Sequence, residues 1–66
     1  MEYSNTQMQR LILEYIHNER DRHILKRRLI DGRTYDALAE EFDMSERQIK
    51  NIVYRGEAVL FKHLPG

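Results

Sequence analysis

The stretch TYDALAEEFDMSERQIKNI, residues 34–52, carries two helix starts with one residue suited to a reversal between them. Thr34 is a good N-cap for the segment that follows it, and Ser45 with Gln48 forms the Ser-x-x-Gln pattern in which cap and third residue bond to each other's backbone. Asp43 stands between the two, and Asp is among the few non-glycine residues that tolerate a positive φ. Punctuated this way, the chain must form a short helix, a tight turn and a second helix. The first is predicted over about 34–42, with Tyr35, Leu38, Ala39 and Phe42 facing inward. The second is predicted over about 46–62, with Gly56 as a weak spot costing roughly 1 kcal/mol against alanine. Pro65 closes the helical options.

The rest of the chain reads in the same way. Met8, Leu11, Ile12, Tyr15 and Ile16 recur at helical spacing and predict a helix over 5–17, with Leu13 off the stripe. Asn18 is the next N-cap; the helix it starts carries Ile24, Leu25 and Leu29 inward and is predicted to stop at Gly32, which tolerates the left-handed conformation. No strand pattern, repeat or low-complexity tract is present. The expectation is therefore an all-α, small four-helix bundle in a single domain, residues 1–66. At 66 residues and 41% apolar content, one small core is the limit, since a chain of this size buries only about 60% of the surface its unfolded form exposes. The absence of cysteine excludes a disulfide framework or thiolate metal site and fits a reducing cytoplasm. No apolar run of about 18 residues is present, so neither membrane span nor signal peptide is expected.

The formal charge is zero, which argues against a polyanion binder held by bulk charge. Its distribution is uneven. Residues 20–33 hold Arg20, Arg22, Lys26, Arg27, Arg28 and Arg33 against Asp21 and Asp31, whereas residues 36–46 hold only acids: Asp36, Glu40, Glu41, Asp43 and Glu46. One side of such a molecule can attract phosphate. Placing residues of the last helix about 100° apart puts Ile49, Ile52, Val53, Gly56, Val59 and Leu60 on one stripe. The opposite face then displays Arg47, Lys50, Asn51, Tyr54 and Arg55, flanked by Glu46 and Gln48. A short helix, a turn and a second helix with a polar outer face is the layout that lies in the major groove of DNA. There Arg47 or Lys50 would donate to guanine, Asn51 would pair two-pronged with adenine, and Glu46 and Gln48 stand beside them as further base readers. Basic side chains of the second helix, Arg28 among them, with Arg55 and the backbone N–H groups where the third helix begins, would hold phosphates. Tyr54 either reaches a phosphate or closes the core.

The segment from about Glu19 to His63 resembles region 4 of bacterial sigma factors. The matching pieces are ILKRRLIDGRTYDALAEEF, similar to the family's first helices, and FDMSERQIKNI, similar to its helix-turn-helix with the turn aspartate included. The resemblance implies that Arg47, Lys50, Asn51 and Glu46 fall where the family reads base edges, and Arg33, Thr34 and Tyr35 where it touches the phosphate backbone. It implies double-stranded, promoter-like DNA as the partner, and it adds RNA polymerase as a second one. Nothing similar to sigma region 2 precedes the domain, so this chain alone is not expected to initiate transcription.

Other chemistry has no visible constellation. His17, His23 and His63 are scattered without carboxylates at ligand spacing, so no metal is expected, and neither serine has a base arranged beside it, so no enzyme and no cofactor are expected. Leu13, Phe61 and Leu64 fall off the apolar stripes and want a partner. Either the terminal helices pack on each other within the monomer, or these residues form a homodimer interface. Three functions compete: a sequence-specific DNA-binding regulator of transcription, of bacterial or phage type; an adaptor docking on RNA polymerase or a sigma factor; and an oligomerisation module indifferent to nucleic acid.

Overall fold

Four helices account for the described part of the computed structural model, residues 5–63. They are α1 (Asn5–Tyr15), α2 (Glu19–Leu29), α3 (Tyr35–Phe42) and α4 (Glu46–Lys62), with no strand among the described residues. The all-α helix-turn-helix bundle expected from the sequence is what forms. Among the described residues no helix is long and apolar enough to cross a membrane. Leu64 and Pro65 lie outside the described residues.

The local signals act where they were placed. Asn18 Oδ1 accepts from the Asp21 N–H at 3.0 Å and Thr34 Oγ1 from the Ala37 N–H at 3.1 Å. At α4 both halves of the capping box are present: Ser45 Oγ accepts from the Gln48 N–H at 3.1 Å, and Gln48 Oε1 accepts from the Ser45 N–H at 3.0 Å. Asp43 adopts φ 53° and ψ 51°, the left-handed conformation. That single residue turns the chain while its N–H and that of Met44 still bond back to the Ala39 carbonyl, Met44 at 2.9 Å. The end of α3 is thereby satisfied without further residues.

Two helix ends differ from expectation. α1 stops at Tyr15, two residues short of His17, because the Arg22 guanidinium of α2 takes its terminal carbonyls. Nη2 donates to the Leu13 carbonyl at 2.8 Å and Nε to the Ile16 carbonyl. A charged donor here replaces the next helical turn and fixes α1 to α2. α2 ends at Leu29, and beyond it the chain loosens: the Lys26 carbonyl accepts from both Ile30 and Asp31, and the Arg27 carbonyl from Arg33 at 3.0 Å. Gly32 takes φ +71° in this widened turn.

Two apolar clusters fill the interior. Met8, Ile12, Ile16, Leu25 and Leu60 join α1 to α2 and the far end of α4. Ile24, Leu38, Ile49, Ile52 and Val53, with Tyr35, Ala39, Phe42 and Met44 packed against them, seal the helix-turn-helix. Adjacent residues of α2, Ile24 and Leu25, serve different clusters, so α2 is the wall between them. α4 runs past both and passes from one to the other at Gly56, which is buried. Val59, expected inside, is 36% exposed. The sequence stripe gave its direction around α4, but α1 crosses over Leu60 and leaves Val59 at the edge of a shallow groove with Ile16, Leu25 and Ile52.

Candidate nucleic-acid interface

The outer face of α4 is held rigidly from beneath. Ile49 and Val53 are fully buried and Ile52 nearly so, which leaves the residues between them no choice but to point outward. Glu46, Arg47, Asn51, Tyr54 and Arg55 are exposed, and Lys50 is half-buried. Gln48 is exposed too, but its side-chain oxygen is engaged by Ser45, so this end of the amide serves the start of the helix before any base. Arg55 bends back along its own helix, with Nε 3.4 Å from the Asn51 carbonyl.

The charges are sorted. Every ion pair among the described residues uses an arginine of α2, and none reaches α4: Arg20 with Asp21 at 3.4 Å, Arg22 with Glu19 at 3.9 Å, and Arg27 with both Asp31 at 3.4 Å and Glu41 at 2.8 Å. The hydrogen bond and charge of Glu41 raise the Arg27 pKa above its ordinary value. Half of the basic run at 20–33 is therefore paired, with Lys26, Arg28 and Arg33 in no ion pair, and the acidic run at 36–46 is not solvated alone, since Glu41 is Arg27's partner. Arg47 and Lys50 of the recognition face have no carboxylate partner. With Arg28 and Arg33 beside the start of α3, they are among the cations left for an external anion.

The expected phosphate contacts gather where α3 begins. Arg33 and Thr34 are exposed on the approach to α3, and Thr34 doubles as its N-cap. Arg28 donates from Nη1 to the Arg33 carbonyl at 2.8 Å and stacks over the Tyr35 ring. Tyr35 in turn meets the Tyr54 ring edge-on, and the electrostatic and hydrogen-bonding influence of the neighbouring Tyr35 raises the Tyr54 phenol above its ordinary value. Tyr35 and Tyr54 thus form one aromatic corner, Tyr35 packed against the core and Tyr54 facing solvent.

Leu13 and Phe61 remain 57% and 54% exposed. α1 and α4 do pack on each other, through Met8, Ile12 and Leu60 and through a Tyr15–His63 ring stack at 3.7 Å, but that packing covers neither residue. The stack was not visible in the sequence; His63 makes it while remaining exposed. Arg22 and Arg27 were also read only as members of a charge run; the four-residue spacing from Arg27 to Asp31 was the one available hint of pairing. Among the described residues no group of three or more His, Cys, Asp or Glu is placed to hold a metal ion.

A short helix sealed under a longer one, with a left-handed turn between and an unpaired polar outer face, defines a helix-turn-helix DNA-binding domain. Residues 18–60 match the family model described as Sigma-70, region 4, and the chain belongs to that family. The match starts at the Asn18 cap and ends at Leu60, so α1 lies outside it. No curated protein and no solved structure matches the chain.

Proposed function

We propose that the chain is a sequence-specific, double-stranded DNA-binding regulator of transcription that lays α4 in the major groove of promoter-like DNA. The observation that carries this reading is the segregation of ion pairs. Three of the four arginines of α2, Arg20, Arg22 and Arg27, are paired internally, while Arg47, on the exposed side of a helix locked by Ile49, Ile52 and Val53, has no carboxylate partner. Arg47 and Asn51 have the donor and acceptor groups to read guanine and adenine, and Glu46 at the helix start can accept from cytosine. Arg33, Thr34 and the first N–H groups of α3 set the register on the phosphates.

Arg47→Ala tests this. A loss of about 1–3 kcal/mol in discrimination between preferred and scrambled duplexes is expected, with little change in binding to the scrambled one. Titration of both duplexes across a salt series measures it. Wild-type binding no tighter than that of an uncharged control helix would end the proposal.

A second reading is favoured by Phe61, which the fold leaves uncovered at the end of α4. In it the domain also docks on RNA polymerase, as a sigma region 4-like adaptor. Retention on core polymerase in the absence of DNA is then expected for the wild type and lost in Phe61→Asp. Equal retention of both would remove Phe61 from any such interface. A homodimer through Leu13 and Phe61 predicts instead a two-fold symmetric site when bound duplexes are selected from a random pool.

A further inference from the structure

Arg28, Tyr35, Lys50 and Tyr54 come from three helices and meet at one place on the surface. The Arg28 guanidinium carbon lies 4.2 Å from the centroid of the Tyr35 ring, and Lys50 Nζ lies 5.5 Å from the same centroid. The Tyr54 ring stands at 6.4 Å, nearly perpendicular. Arg28 is fixed a second time by its 2.8 Å bond to the Arg33 carbonyl. Two cations brought onto one ring repel each other, and the π face compensates only in part. The other three arginines of α2 each have a carboxylate, yet Arg28 and Lys50 have none. Glu57 is the acid whose charge reaches Tyr54, but it pairs with neither cation, so the cluster presents positive charge assembled in advance with no ion-pair partner.

We infer that this cluster clamps a single backbone phosphate of the bound duplex, and that Tyr35 is a positioning residue whose ring, more than its hydroxyl, sets Arg28 and Lys50 side by side. The inference rests on the DNA-binding reading above and changes it in one respect. Lys50, expected from its place on α4 to read a base, has its ammonium drawn back toward α3 and serves the backbone. Base discrimination is left to Arg47, Asn51 and Glu46.

Salt dependence counts phosphates, because each one neutralised contributes about 0.9 to the slope of log K against log salt. In the double variant Arg28→Gln/Lys50→Gln the slope is expected to fall by about 0.9, the value for one shared phosphate. A fall of about 1.8, two separate phosphates, or no fall at all overturns the clamp. Lys50→Gln alone should weaken preferred and scrambled duplexes alike, by about tenfold; a changed base preference would return Lys50 to the base readers and overturn the assignment. Tyr35→Phe should keep the wild-type slope, and Tyr35→Leu should reproduce the double variant while thermal unfolding shows it folded. Loss of slope in Tyr35→Phe would place the function in the hydroxyl and defeat the positioning role. If Tyr35→Leu does not fold, the Arg28, Lys50 and Tyr35→Phe variants decide. A DNA-free arm separates this inference from the reading it rests on: inorganic pyrophosphate is titrated while the Arg28 Nε–H and Tyr35 ring resonances are followed. Shifts present in the wild type and absent in Lys50→Gln uphold an anion clamp even if no duplex binds; unmoved resonances end it.

Discussion

Leu38→Ala is expected to lower stability by about 2–5 kcal/mol, the range for emptying a buried leucine site. Leu38 is fully buried and is the one fully buried residue of α3, with Tyr35, Ala39 and Phe42 packed partly buried around it, so it is the central anchor of that helix. It sits among Ile24, Ile49, Ile52 and Val53, where α2, α3 and α4 meet. A chain of this length has total stability of only about 3–10 kcal/mol at typical per-residue values, so the loss is a large share of the total and the unfolding midpoint should fall sharply. Leu38→Met, which nearly conserves volume, should lose less than about 1.5 kcal/mol. Urea unfolding followed by helical circular dichroism measures both. DNA affinity should fall in proportion to the folded fraction, since α3 supports α4 from below. A midpoint for Leu38→Ala close to the wild type would show that α3 is held by something other than this cluster.

Gly56→Val is expected to cost about 3 kcal/mol, at the upper end of what overpacking a core produces. Helix propensity alone makes glycine a weak point in α4, and from sequence the position invites improvement. The structure reverses that. A Cβ built on Gly56 would stand 2.6 Å from both Leu25 methyl carbons and 3.1 Å from its Cγ. Leu25 is itself fully buried and packs with Met8, Ile12, Ile16 and Leu60, so displacing it disturbs that cluster. Even Gly56→Ala, which gains about 1 kcal/mol in propensity, should be neutral or worse, because the displaced Leu25 costs as much or more. The decisive measurement is a double-mutant cycle. Leu25→Ala opens space beside residue 56, so Gly56→Val should be much less costly in that background than in the wild type. Additive losses would show that the two side chains do not compete for the same volume.

These two positions mark the limits of reading the chain alone. Leu38 was legible as an inward residue because it lies on a regular helical stripe. Gly56 was placed on the correct stripe, but its purpose was not visible, since the distance between two helix axes is not written in either helix. The same holds for the candidate interface. Arg47 and Asn51 were legible as outward because Ile49 and Ile52 face in. Lys50 shares that face in a helical projection, yet its long side chain leans toward Tyr35, fifteen positions earlier, and joins a different set of residues. Gln48 was read both as a cap and as a base reader, and the cap takes its side-chain oxygen first.

By itself the sequence determined the four helices, their starts at Asn18, Thr34 and Ser45, and the reversal at Asp43. Each depends on hydrogen bonds and dihedral preferences within about four residues, which are strong enough to act before any tertiary contact forms. Only the tertiary structure decided that Arg22 would close α1, that Arg27 would turn to Glu41, that Val59 would be left at an edge and that Arg28 and Lys50 would share one ring. Helical periodicity fixes the direction of a side chain about its own axis. Which partner it meets depends on how those axes cross, and the crossing is set by the joint packing of Leu25, Leu38 and Leu60 against the close approach at Gly56.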